Sequence, residues 1–303
     1  MSDSVREDDF RWNFEVPVLG SLTPRERVKL GAVKLITPLY GEGLMRGFPL
    51  AFYAKNKTVV IPVMSYKFLR DIAVASAYLV ENGFSLETVS DYASMLKYQV
   101  FTKGKKVPPP LEALHIPDNA LNMPWVKNTS QKILVSSIVW IMSHELAHLY
   151  YQHPGYGPHI SRYQAQQNEI EADRFANKIM RNISVAPIGI AEFFMVMSHL
   201  SVDRGDFEND DAWNEYRNFE ATHPLTAERM NILANDLLSD PESFVWKEPN
   251  PADISTVIRE TAVQIQEIAK ILSNPEMQIL INYRAKSITL DSLRPRRNIR
   301  PLQ

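Results

Sequence analysis

The chain has 303 residues, 45% of them hydrophobic, enough to bury one large core or two modest ones. Its formal net charge of −2 builds no field that would gather a polyanion, so nucleic acid is not an expected partner. It contains no cysteine, which excludes a disulfide framework, a thiol nucleophile and any sulfur-ligated zinc; a metal here is held by histidine and carboxylate or not at all.

Residues 1–20 are acidic, lack the apolar run of a secretion signal and read as a flexible leader. The longest apolar window falls well short of the roughly 20 residues a bilayer crossing needs, so the expectation is a cytoplasmic chain without a transmembrane segment. Thr23-Pro24-Arg25-Glu26 starts a capped helix expected to run to about Leu35. From Phe48 to Val63 the period changes to two β-type runs around the polar turn Lys55-Asn56-Lys57, the one convincing hairpin. Helical spacing returns over 65–82 and 85–99, broken at Glu81-Asn82-Gly83. Five prolines between Lys103 and Pro124 indicate an ordered surface crossing or a mobile lid.

Residues 131–153, QKILVSSIVWIMSHELAHLYYQH, contain neither Gly nor Pro and read as one buried helix, with Asn128 and Gln131 spaced as a capping box at its start. Gly and Pro at 154–158 break it. Further helices are expected from Ser161 to Met180, from Ile188 to His199, and after Thr222-His223-Pro224. The acidic run 203–211 reads as a loop without calcium-ligand spacing, 241–250 as a connector, and the remainder as about two helices with a basic tail, RPRRNIR.

Chemistry concentrates in His144-Glu145-Leu146-Ala147-His148. Residues four apart on a helix stand one turn above each other, so His144 and His148 can aim two imidazoles at one ion. Glu145, rotated by about 100° from His144, lies beside that point, where a carboxylate serves as general base to water. A third ligand is needed if one position of a tetrahedral zinc is to stay open. The metzincin pattern wants glycine and histidine where this chain has Tyr151 and Pro154, and is excluded. The other common solution takes a glutamate from the next helix. Glu169 follows His148 by 21 positions, and Asp173 lies one turn further on the same face, placed to orient a ligating imidazole. Glu171 competes with Glu169 but sits about 200° around the helix from it, away from Asp173. His153, about 140° around the helix from His148, cannot join the same metal and reads as structural. His223 is the candidate donor to the oxyanion, and Arg229 a partner for Asp173 or another buried carboxylate. The β-type run at 58–63 is a candidate edge for pairing with an extended substrate.

These three blocks, HELAH, EIEAD and THPLTAERM, are similar to the gluzincin zinc peptidases of the HtpX and CAAX-prenyl-protease type. A closer likeness, over roughly residues 48–235, is to the Lit phage-exclusion peptidase family. That resemblance implies a zinc endopeptidase, dormant until a phage product activates it, whose protein substrate is elongation factor Tu. The implied ligands are His144, His148 and Glu169, with Glu145 as base. A runner-up is the ImmA/IrrE type of regulatory protease that cuts repressors; Lys178-Ile179-Met180-Arg181 and the His-Pro block depart from its pattern. An inactive zinc-binding scaffold is a third reading, against which Glu145 counts. The expected fold is mostly helical α+β, with a small antiparallel sheet over the active-site helix, divided into a leader (1–20), a peptidase domain (21–240) and a helical extension with the basic tail (241–303).

Overall fold

The computed structural model of the chain describes residues 7–41, 49–101, 106–155, 160–219 and 226–298. Helix α1 (Glu7–Asn13) continues into a wide π-type turn, Phe14–Val18. Phe10, Phe14 and Val18, spaced four apart, form one buried stripe, and the Phe10 ring lies 4.4 Å from that of Tyr66. The segment expected as a flexible leader is thus helical from Glu7 and packed from Phe10 onward. Helix α2 (Pro24–Leu30) opens with the expected capping box, Thr23 N–H donating to Glu26 Oε2 at 2.8 Å. It stops five residues earlier than expected because Gly31 takes φ +65, and the chain leaves as a strand.

That strand, β1 (Lys34–Ile36), joins β2 (Tyr53–Lys55) and β3 (Thr58–Val60) in the order β1-β3-β2. The hairpin β2–β3 is antiparallel, closed by Asn56 and Lys57, both at positive φ as a two-residue primed turn requires. Its described part begins at residue 49. β1 pairs with β3 in parallel, so the sheet is mixed rather than purely antiparallel. Both flanks of β3 are occupied, which removes 58–60 as the candidate substrate edge; the outer strands are β1 and β2.

Helices α3 (Val63–Glu81) and α4 (Glu87–Met95) follow, separated at Gly83 with φ +70. The described part of the proline-rich crossing contains a short helix, α5 (Pro110–Ala113), and is tied down by Tyr92 Oη donating to Pro108 O at 3.0 Å. It buries Ala113 and Leu114, so the crossing from 106 on is an ordered one.

Helix α6 (Pro124–Tyr151) carries His144. It starts at Pro124, whose missing N–H costs nothing in the first turn, so Asn128 and Gln131 lie inside the helix and form no cap. It ends at Tyr151, because Gln152 turns left-handed at φ 59. Leu134, Ile138, Trp140, Met142, Leu146 and Ala147 are buried, and α6 is enclosed by the sheet, α3 and the next two helices, α7 (Arg162–Ile183) and α8 (Ile188–Leu200). Burying leucine, isoleucine and methionine side chains of this kind contributes roughly 1.5–3 kcal/mol each. Among the described residues α6 is the one helix long and apolar enough to cross a membrane, and most of its apolar window is covered by the rest of the fold.

After a 3-10 turn (Arg204–Asp206) the acidic run turns helical as α9 (Asp210–Phe219), with Asp210 and Asp211 in the first turn, where the helix dipole favours them. Helix α10 (Thr226–Ser239) packs against α8 and α11 (Pro251–Ser273), and α12 (Pro275–Ala285) closes on the 204–206 turn. A polar thread joins three helices: Trp140 Nε1 donates to Asn177 Oδ1 at 2.7 Å, and Asn177 Nδ2 to Asp236 Oδ2 at 2.8 Å. The whole is a mostly helical α+β fold with its small sheet against α6.

Candidate metal centre

Helix α7 starts at Ser161, whose hydroxyl accepts from Gln164 N–H at 3.2 Å. On the face it turns to α6, Ala172 and Ala176 are fully buried; small side chains there let the two helix backbones approach closely. That approach carries Glu169 to the two histidines of α6. His144 Nε2 and His148 Nε2 lie 3.2 Å apart, Glu169 Oε2 is 3.4 Å from the first and Glu169 Oε1 3.5 Å from the second. The three side chains each turn one donor atom to a common point, all within 4.8 Å of one another. Two imidazoles and a carboxylate are a donor set that suits a borderline divalent cation, and three protein ligands leave a position open. The residues fit a metal ion, and Glu145 lines the same cleft.

Behind each imidazole stands a second partner. His144 Nδ1 lies 2.8 Å from Asp173 Oδ1, and Asp173 is itself gripped by Arg229. The His144 ring also stacks on Trp140, centroids 5.3 Å apart. His148 Nδ1 lies 2.9 Å from His153 Nδ1, and His153 Nε2 lies 3.0 Å from Glu171 Oε2. Glu171, the rival ligand, therefore faces His153, as its position around α7 requires.

The electrostatics follow from burial and neighbours. Burial works against a charged His144, but the carboxylates of Asp173 and Glu169 outweigh it and push the imidazolium up to about 10. His148 goes the other way, down to about 3, through burial and then the charge on His144. Burial also pushes the Glu145 carboxyl up to about 7, with Glu169 reinforcing and His144 and Arg229 opposing. Asp173 stays below its usual range despite burial, because Arg229 and His144 face it. A carboxyl titrating near neutrality beside a two-histidine, one-glutamate cluster is suited to moving protons at that point.

The cluster opens into a cleft of about 490 Å³. Leu50 to Ala54, leading into and along β2, line one side, and Phe193 and Met197 of α8 give it an apolar wall. The structure thus brings together His144, Glu145, His148, Glu169 and Asp173. His223 lies outside the described residues. Sequence reasoning missed His153 as a partner of His148, because the helical rotation assumed for it ends at Tyr151. A polar residue followed by His-Pro-Gly at 152–155 was the available signal of a left-handed helix end.

Neither a curated protein nor a solved structure matches this chain. The family model of Peptidase U49 matches residues 91–248, just over half of the sequence. That span runs from within α4 to beyond α10 and holds every residue of the cluster, while the sheet lies before it. The chain belongs to the Peptidase U49 family.

Proposed function

We propose that this peptidase is a zinc-dependent endopeptidase, with His144, His148 and Glu169 as zinc ligands and Glu145 as general base. The observation that carries the reading is the convergence of these three donors beside a buried carboxyl at about 7, in a cleft of about 490 Å³. Bound zinc would supply Lewis acidity, activating water and polarising the scissile carbonyl. Glu145 takes the proton from the attacking water as the new C–O bond forms, then delivers it to the leaving nitrogen as the C–N bond breaks. Asp173 and Arg229 hold His144 in the tautomer that leaves Nε2 free for the ion.

The outer position of β2, whose residues line the cleft, supports an extended substrate laid beside the sheet. The likeness to the Lit peptidases supports elongation factor Tu as that substrate, a phage product as the trigger, and the bacterial cytoplasm as the place of action. His223 remains the proposed oxyanion donor. The test is incubation of purified elongation factor Tu with the zinc-loaded chain and its Glu145→Gln variant, in the presence and absence of phage lysate, read by intact mass. The variant is expected to keep its metal and cut at least 10²-fold more slowly. Equal cleavage by both proteins removes Glu145 from the mechanism.

A further inference from the structure

Helix α6 does not run through His153. Gln152 adopts φ 59 and ψ 41, and the reversed chain is sealed by His153 N–H donating to His148 O at 3.0 Å. That reversal folds the His153 ring back onto His148, with Tyr151 stacked on it at a centroid distance of 5.5 Å. The His153 side chain is 6% exposed, and Glu171 behind it 48%.

Counting protons along this line gives one self-consistent arrangement. If His148 presents the Nε2 lone pair to an ion, its proton sits on Nδ1 and is donated to His153 Nδ1. His153 then carries its own proton on Nε2, and Glu171 Oε2 accepts it. Every nitrogen has one role, and the carboxylate at the end selects it. The second imidazole of the cluster, His144, reaches its carboxylate directly; His148 reaches one only through another ring, supplied by the helix end.

We propose that His153, backed by Glu171, is a positioning residue for the metal centre, holding His148 in the tautomer and ring orientation that ligation needs. This rests on the reading of His144, His148 and Glu169 as metal ligands. It gives the left-handed helix end a role in metal affinity rather than in stability alone.

The experiment is zinc affinity of the full chain, measured by competition with a chromogenic chelator, alongside the melting temperature of the metal-free protein. His153→Ala is expected to weaken zinc binding ten- to a hundredfold while the metal-free protein melts with the wild type. His153→Asn, whose side-chain oxygen stands where Nδ1 stood, is expected to recover most of that loss. Wild-type affinity in His153→Ala, or an Asn variant as weak as the Ala variant, overturns the proposal and leaves the ligand assignment standing. Should His153→Ala fail to fold, Glu171→Ala decides: weakened zinc binding supports the relay, and undiminished binding overturns it. A wild-type chain without zinc affinity overturns both this proposal and the metal reading beneath it.

Discussion

Arg229 of α10 grips Asp173 of α7 with two parallel hydrogen bonds, Nε to Oδ2 at 2.9 Å and Nη2 to Oδ1 at 2.6 Å. Asp173 in turn faces His144 Nδ1, so a residue 85 positions downstream of a proposed ligand sets that ligand's orientation. The guanidinium also sits 4.8 Å from the centre of the Phe194 ring, which fixes it from the other side.

Removing that guanidinium leaves a buried carboxylate without its main counter-charge. Arg229→Ala is expected to lower unfolding free energy by roughly 3–5 kcal/mol in urea titration. Arg229→Lys keeps the charge but loses the fork, and is expected to fall between wild type and Arg229→Ala. A loss below about 1 kcal/mol in Arg229→Ala, the level of an exposed ion pair, would show that the pair is not sequestered.

Gly189, at the start of α8, donates its N–H to Ser136 Oγ of α6 at 3.1 Å. A methyl group there would run into Ile133 O and Ser136 Oγ, so no side chain fits between the two helices. Gly189→Ala is expected to destabilise the chain by about 1–3 kcal/mol through overpacking. A more stable Gly189→Ala variant, as helix propensity alone would give, contradicts this packing.

Glu192 of α8 accepts a hydrogen bond from Ser76 of α3, and burial pushes its carboxyl up to about 7, with Ser76 opposing. The native state then holds this proton more tightly than the unfolded chain, whose carboxyl titrates near 4.5. Its contribution is complete below pH 4.5 and is lost as pH rises through 7. Glu192→Gln, which never charges, is expected to gain stability over wild type between pH 5 and pH 8, by at most about 3 kcal/mol. Melting curves that shift in parallel across that range would contradict it.

Local periodicity carried the reading of the chain as far as local geometry reaches. His144, His148, Glu169 and Asp173 are related by helical turns within two long helices, and the structure places them as those turns require. The hairpin was legible because the polar stretch Lys55-Asn56-Lys57 interrupts two β-type runs; the structure narrows the turn to Asn56 and Lys57 and leaves Lys55 in β2. β1 was not, since a three-residue strand just past a glycine-ended helix has too short a pattern to separate from one more helical turn. His153 was missed for the converse reason: one left-handed residue replaces helical rotation by a reversal. The grip of Arg229 on Asp173 was legible from charge complementarity alone, as one of the pairings open to Arg229, whereas the parallel pairing of β1 joins segments distant in sequence and leaves no periodic trace.

Zinc-dependent chemistry at this cleft requires that His144, His148 and Glu169 share one ion. Elemental analysis of the full chain after zinc loading and desalting tests this most directly. The expected result is close to one zinc per wild-type chain and a small fraction of that in Glu169→Ala. A wild type that retains no zinc, or a Glu169→Ala variant that retains the full complement, would contradict it.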